Sequence, residues 1–115
     1  MDNLNHYRTL IKELLIEQTK YPYAYDNIQF ETVFDTQADR YLLMILGRDY
    51  EHRRVHGCLI HIDIIDNQLW IQRDGTEHGI ATDLIAAGVP KENIVLGFHH
   101  SVFATTEKSK LKVNT

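Results

Sequence analysis

The chain has 115 residues, of which 43% are hydrophobic and 24% charged, and a formal net charge of −4 at pH 7. These proportions are typical of one globular domain and exclude a chain that is disordered throughout. The net negative charge argues against a protein that binds duplex DNA without a partner, because such proteins cluster Lys and Arg against the phosphates. The single cysteine, Cys58, excludes an internal disulfide.

Two further features bear on location. The first residues, Met1 to Asn3, lack the basic and apolar regions of a signal peptide, and no apolar run approaches about 18 residues. We therefore expect a cytoplasmic protein without a membrane span, in a compartment that keeps Cys58 reduced.

Residues 3–19 are predicted to form an amphipathic helix. Asp2 or Asn3 can cap its start, and Pro22 is expected to end it near Lys20. Apolar side chains recur along one face of this helix at Leu4, Tyr7, Ile11, Leu14 and Leu15. Tyr21, Tyr23 and Tyr25 follow in a loop that offers an aromatic contact surface.

Four strands are predicted next, over residues 28–35, 40–47, 55–65 and 68–73. The connections are short, and Asp66-Asn67 has the signature of a two-residue hairpin turn, so the strands should form an antiparallel meander. The second strand is an unbroken apolar run, which predicts a central strand covered on both faces. The third should alternate strictly, with His56, Cys58 and Ile60 on the face that also carries Ile62 and Ile64.

A second helix is predicted after the turn at Asp74 and Gly75. Asp74 and Glu77 have the spacing of a capping box, and Gly88 is expected to end the helix in a left-handed conformation. A short apolar run, Ile94 to Leu96, predicts a final short strand.

These elements predict an α+β fold in two layers. It consists of an N-terminal helix, a four-stranded antiparallel meander sheet, a second helix and a short final strand. Residues 1–100 should form the single domain, and residues 101–115 a polar C-terminal tail that is mobile unless a partner orders it.

Several separated motifs occur together with a recognisable order and spacing. They are Gly57-Cys58, His61-Ile62-Asp63, Trp70 to Glu77, Gly88-Val89-Pro90-Lys91 and Leu96-Gly97-Phe98-His99. With Tyr7-Arg8 and Phe34-Asp35-Thr36, they give a resemblance over most of the chain to the XisI family of fdxN element excision controlling factors. The tail departs from the family pattern, because Thr106-Glu107 is followed by Lys108-Ser109-Lys110.

The resemblance implies a cyanobacterial-type accessory protein in the excision of a DNA element, acting beside a nuclease-like companion protein, XisH. We interpret the chain as a non-enzymatic regulator that binds an XisH-like protein and needs no cofactor. Strand ends and helix starts place polar groups where a partner can reach them. Our candidate partner-contact residues are therefore Arg73, Asp74, Gly75, Thr76, Glu77 and His99.

Two other functions stay open, a direct DNA-binding excision factor and a metal-dependent hydrolase. His61 and Asp63 lie two apart on one strand face, and imidazole and carboxylate are good ligands for a divalent ion. The simpler interpretation is that His61 and Asp63 are half-buried in the sheet and hydrogen-bond to their neighbours. Cys58 has no helix start beside it to activate the thiol, so we expect no catalytic or metal site. An exposed sheet edge makes a homodimer a reasonable expectation.

Overall fold

The computed structural model describes residues 3–21 and 27–98 of the chain. The elements are α1 (Asn3–Gln18), β1 (Ile28–Asp35), β2 (Arg40–Arg48), β3 (Arg54–Ile65), β4 (Gln68–Asp74), α2 (Ile80–Ala86), one 3₁₀ turn (Lys91–Asn93) and β5 (Ile94–Leu96). The predicted α+β fold is confirmed. The expectations for Asp2, Pro22, Tyr23, Tyr25, His99 and the tail at 101–115 lie outside the described residues.

All five strands form one sheet in the order β1-β2-β3-β4-β5. The first four pair antiparallel, as the short connections predict, whereas β5 pairs parallel to β4 because α2 lies in the crossover between them. The turn at Asp66 and Asn67 has positive φ at both residues, 52° and 65°. That is the conformation of a two-residue hairpin turn whose twist suits its strands.

Both helices pack on the same face of the sheet. Ile11 and Leu15 of α1 and Ile80 and Leu84 of α2 are fully buried and belong to one apolar cluster with the sheet. The sheet contributes its inward side chains, Tyr41, Leu43, Ile60, Ile62, Leu69 and Ile71, to this cluster. Burial of this shared core is what stabilises the two-layer arrangement.

The prediction that β2 is covered on both faces is wrong. Tyr41, Leu43 and Ile45 of the inward face are buried, but the alternate residues Leu42, Met44 and Leu46 are only half-buried. In the described part of the chain α1 and α2 share the inward face, so the other face has no second layer. An apolar run alone does not show how many layers cover a strand.

The strict alternation predicted for β3 is also wrong. Met44 stands opposite Cys58 and Leu43 opposite Ile60, which leaves Leu59 as the extra residue of a β-bulge. The bulge moves Cys58 to the face opposite that of Ile60, where His61 and Asp63 also lie. Leu59 instead packs against the core and borders the site described below.

The end of α2 follows the prediction closely. Gly88 has φ 108°, its N–H donates to the carbonyl of Ile85 at 3.0 Å, and the N–H of Val89 donates to the carbonyl of Leu84 at 3.0 Å. This pair of bonds is the Schellman motif, in which glycine takes the left-handed position without a Cβ penalty. Val89 is buried beneath the turn.

An ion pair joins α1 to the turn between β1 and β2. Arg8 Nε donates to Asp39 Oδ1 at 2.8 Å and Arg8 Nη2 to Oδ2 at 3.2 Å. Tyr41 Oη also donates to Asp39 Oδ1, at 3.0 Å. The Arg8 hydrogen bond holds the pKa of Asp39 below its ordinary value, while burial and the bond to Asp39 raise the pKa of Tyr41 to about 12.

Candidate functional site

The predicted contact residues divide into two places. Arg73 and Asp74 end β4, and Gly75, Thr76 and Glu77 begin the loop that leads to α2. Gly75, Thr76 and Glu77 border an open groove of about 1030 Å³ between the two helices, which we call the α1–α2 groove. Arg73 is not among the residues lining it, and His99 lies outside the described residues.

Asp74 organises the loop. Its Oδ1 accepts hydrogen bonds from the Thr76 backbone N–H at 2.9 Å and from the Thr76 hydroxyl, and its Oδ2 accepts from the Ile80 N–H at 2.7 Å. The Thr76 Oγ1 in turn accepts from the Gly79 N–H at 3.2 Å. The Ile80 bond satisfies an amide at the start of α2 that has no partner within the helix, and the other bonds fix the loop before it.

The predicted capping box is therefore wrong. The helix begins at Ile80 rather than directly after Gly75, so Glu77 precedes it and stands exposed in the loop. Asp74 still supplies a cap, but from six residues before Ile80. A spacing of three residues does not identify a capping box when the loop before the helix is longer than the pattern assumes.

Arg73 lies opposite His61 in the sheet register, on the face that the helices do not cover. Its Nε donates to the Cys58 carbonyl at 3.1 Å, which ties the end of β4 to the bulged part of β3. Burial raises the pKa of the Cys58 thiol, and the charge of Arg73 only partly opposes this. A thiol held in its neutral form is a poor nucleophile.

The α1–α2 groove has an apolar floor. The half-buried Leu14, Phe30 and Leu59 of α1, β1 and β3 form this floor, and the exposed Ala86 and Ala87 at the end of α2 border it. Leu59 reaches this position because of the bulge in β3. A Cβ at Gly75 would approach Leu59 Cδ1 to 2.8 Å, so glycine lets the loop lie directly against the floor. Apolar floors with a few polar groups around them are typical of binding sites.

The rim of the groove is acidic. Glu17 lies at the end of α1, Glu77 in the loop and Asp83 in α2. Lys20 approaches Glu17 at 3.3 Å, and His78 Nε2 lies 2.9 Å from Asp83 Oδ2. These exposed partners offset the carboxylates only in part, so the rim favours a cationic ligand and disfavours phosphate.

His61 and Asp63 form a pair of their own on the uncovered face. His61 Nε2 lies 2.8 Å from Asp63 Oδ1, and Gln72 Nε2 donates to Asp63 Oδ2 at 3.4 Å. Asp63 is 9% exposed, so the hydrogen bonds satisfy a carboxylate that the sheet nearly encloses. Over residues 3–21 and 27–98, no three His, Cys, Asp or Glu residues come together to hold a metal ion.

Several groove residues were missed by the sequence analysis. Glu17, Gln18 and Tyr21 come from the end of α1, and Asp83, Ala86 and Ala87 from α2. The two sets are about sixty residues apart in the chain, and no local pattern relates them. The one available signal is Tyr21, because the predicted aromatic contact loop begins with this residue and it is 58% exposed at the groove.

Comparison with known proteins places the chain in one family. The family model described as XisI protein matches residues 1–108. No curated protein matches the chain. Among the helices of the described residues, none is both long enough and apolar enough to span a membrane.

Two solved structures from Anabaena variabilis ATCC 29413 resemble the fold. A XisI-like protein shares 33% identity with a TM-score of 0.74, over 82% of this chain and 85% of its own. A protein described as fdxN element excision controlling factor XisI shares 32% identity with a TM-score of 0.71, over 86% of this chain and 95% of its own. The chain therefore belongs to the XisI family.

Proposed function

We propose that the chain is a non-enzymatic cytoplasmic accessory factor in the control of DNA-element excision, and that it acts by binding an XisH-like protein of nuclease fold. The observation that carries this proposal is the 32% identity, over 95% of the other chain, to a protein described as an fdxN element excision controlling factor. Membership of the same family supports an equivalent role for this chain.

The chemistry of the described residues supports binding rather than turnover. The His61–Asp63 pair is engaged in its own hydrogen bonds, and burial raises the pKa of the Cys58 thiol. The α1–α2 groove instead combines an apolar floor with an acidic rim. Apolar surface surrounded by polar groups is the usual composition of a protein-binding site.

The groove refines the choice of contact residues. Thr76 and Gly75 shape the loop, whereas Glu77 is exposed at the rim and available to a partner. Asp74 supports the loop from within. We therefore assign partner contact first to Glu77, with Gly75 and Thr76 beside it, and treat Asp74 as a residue that positions them.

Direct DNA binding is the competing function. The net charge of −4 and the acidic rim both oppose the approach of a phosphate backbone. Arg53 in the β2–β3 connection is also engaged, because it pairs with Asp49 at 3.0 Å and with Glu51 at 3.4 Å. These contacts favour a protein partner over a nucleic acid.

The test is co-purification with an XisH-like protein encoded beside the gene. The unaltered chain should retain the partner, and Glu77→Ala should weaken the complex by roughly tenfold if this side chain makes a central contact. Glu13→Ala removes the same charge from an exposed position of α1 outside the groove, and should leave the affinity unchanged. Light scattering of the complex reports whether it contains one copy of the chain or a homodimer joined through a sheet edge such as β1.

Two results would overturn the proposal. One is the absence of any complex while the chain alone shifts duplex DNA with a steep salt dependence, which would establish direct DNA binding. The other is metal-dependent hydrolysis by the purified chain that is lost in His61→Ala without unfolding.

A further inference from the structure

A segment of this same chain matches the α1–α2 groove in both charge and apolar pattern. Residues 108–113 read Lys-Ser-Lys-Leu-Lys-Val. Alternate residues of an extended backbone point to opposite sides. An extended conformation would therefore present three ammonium groups, from Lys108, Lys110 and Lys112, on one side and the aliphatic side chains of Leu111 and Val113 on the other.

The groove offers a complement to each side of this segment. Its floor is apolar and includes Leu14, Phe30 and Leu59, while its rim carries the carboxylates of Glu17, Glu77 and Asp83. Aliphatic groups on the floor would leave water, and the long lysine side chains can extend over the apolar surface to the rim. Three lysines would thus face three carboxylates, of which Glu17 and Asp83 already have exposed partners in Lys20 and His78.

The chain leaves the sheet at the correct end to reach the groove. The Gly97 N–H donates to the Ile71 carbonyl at 2.9 Å, so β5 ends beside the middle of β4 and points the same way as that strand. The β4 strand leads directly into Gly75 and Thr76 at the groove. Residues 98 to 108 can span about 33 Å when extended, and tethering raises the local concentration of the segment to roughly millimolar.

We propose that residues 108–113 bind within the α1–α2 groove of their own chain, with Leu111 and Val113 on the floor and the lysines at the acidic rim. This inference rests on the groove and the sequence of the tail, not on the excision role. The match to the family model covers residues 1–108, so most of the segment lies beyond the match. The groove is then occupied until a competing ligand displaces the segment.

Paramagnetic relaxation in the full-length chain tests the proposal. A nitroxide is attached at Ser109→Cys in a Cys58→Ser background, and the ¹⁵N-labelled amides are compared with the nitroxide oxidised and reduced. The amides of Gly75, Thr76 and Ala87 should lose intensity. Those of Asp66 and Asn67 should retain it, because the seven residues of β4 separate the hairpin turn from Gly75 at the groove.

Charge variants make the result specific. Replacing Lys108, Lys110 and Lys112 with Glu should restore the intensity of the groove amides, and Glu77→Lys should restore part of it. Glu13→Lys makes the same charge change on α1 outside the groove and should leave the loss unaltered. Added salt should also restore intensity, since exposed ion pairs are screened within about 8 Å at physiological ionic strength.

Three results would overturn the proposal. They are full intensity at the groove amides, a loss of intensity spread over the whole surface, and a loss that survives the triple Lys→Glu change. A mixture of unlabelled nitroxide-bearing chain and ¹⁵N-labelled chain without nitroxide provides the last comparison. A loss of equal size in that mixture would mean that the tail of a second copy occupies the groove, which is a fourth result that would overturn the proposal.

Discussion

Tyr41 is a single residue in which burial and hydrogen bonding act in the same direction. Its side chain is fully buried beneath α1, and its hydroxyl donates to Asp39 Oδ1 at 3.0 Å. Ionisation of the phenol would place a second negative charge beside that carboxylate, away from water. Burial and the Asp39 contact therefore raise the pKa of Tyr41 from 10.0 to about 12.

This shift predicts a loss of stability at alkaline pH. Between pH 10 and about 12 the unfolded chain releases the Tyr41 proton while the folded chain retains it. The free energy of unfolding should therefore fall with rising pH, by on the order of 2 kcal/mol from this group, and should be unaffected by it at lower pH. Urea unfolding of Tyr41→Phe across this range should show a shallower decline than the unaltered chain, and Tyr21→Phe, at an exposed position, should not. Equal slopes for Tyr41→Phe and the unaltered chain would contradict the assignment.

At the scale of an element, α2 depends on contacts made outside it. The helix has only seven residues, Ile80–Ala86, and is too short to be stable by itself. Asp74 accepts a hydrogen bond from the N–H of Ile80, the first residue of the helix, and the N–H of Gly88 donates to the Ile85 carbonyl at its end. Ile80 and Leu84 then fix it to the sheet by burial.

Asp74→Ala should therefore destabilise the whole domain. It removes the acceptors for the Ile80 and Thr76 amides, and loss of a helix cap costs about 1 to 2 kcal/mol. Glu77→Ala in the same loop is exposed and should change the free energy of unfolding by less than about 0.5 kcal/mol. Thermal or urea unfolding of the two variants measures this difference. Equal destabilisation by Asp74→Ala and Glu77→Ala would contradict the supporting role of Asp74.

At the scale of the whole molecule, the groove is where the two proposals meet. If the tail segment and the XisH-like partner both bind there, each must displace the other. The variant with Lys108, Lys110 and Lys112 replaced by Glu should then bind the partner more tightly than the unaltered chain. The gain is roughly tenfold for a segment that occupies the groove about nine-tenths of the time.

Titration calorimetry with the purified partner measures this gain. Lys91→Glu, in the exposed 3₁₀ turn outside the groove, controls for the general effect of added negative charge. An unchanged or reduced affinity of the triple variant would show that the tail and the partner do not compete.

Local patterns in the sequence determined the elements and their order. The alternation of residues 28–35 matches β1 (Ile28–Asp35) at both ends, and Asp66-Asn67 and Gly88 adopt the positive φ values that their turns require. These features depend on neighbouring residues, because backbone sterics and hydrogen bonding act over a few positions. Each motif shared with the XisI family is likewise a short run of neighbouring residues.

The tertiary structure alone decided the bulge at Leu59 and the composition of the site. A bulge is set by the pairing of β3 with β2, which places Leu43 opposite Ile60 and Met44 opposite Cys58. The groove joins the end of α1 to α2 and to the loop at Gly75, through packing of both helices on one sheet face. Contacts between residues so distant in the chain form only when the apolar faces of the helices and the sheet are buried together, so no local pattern contains them.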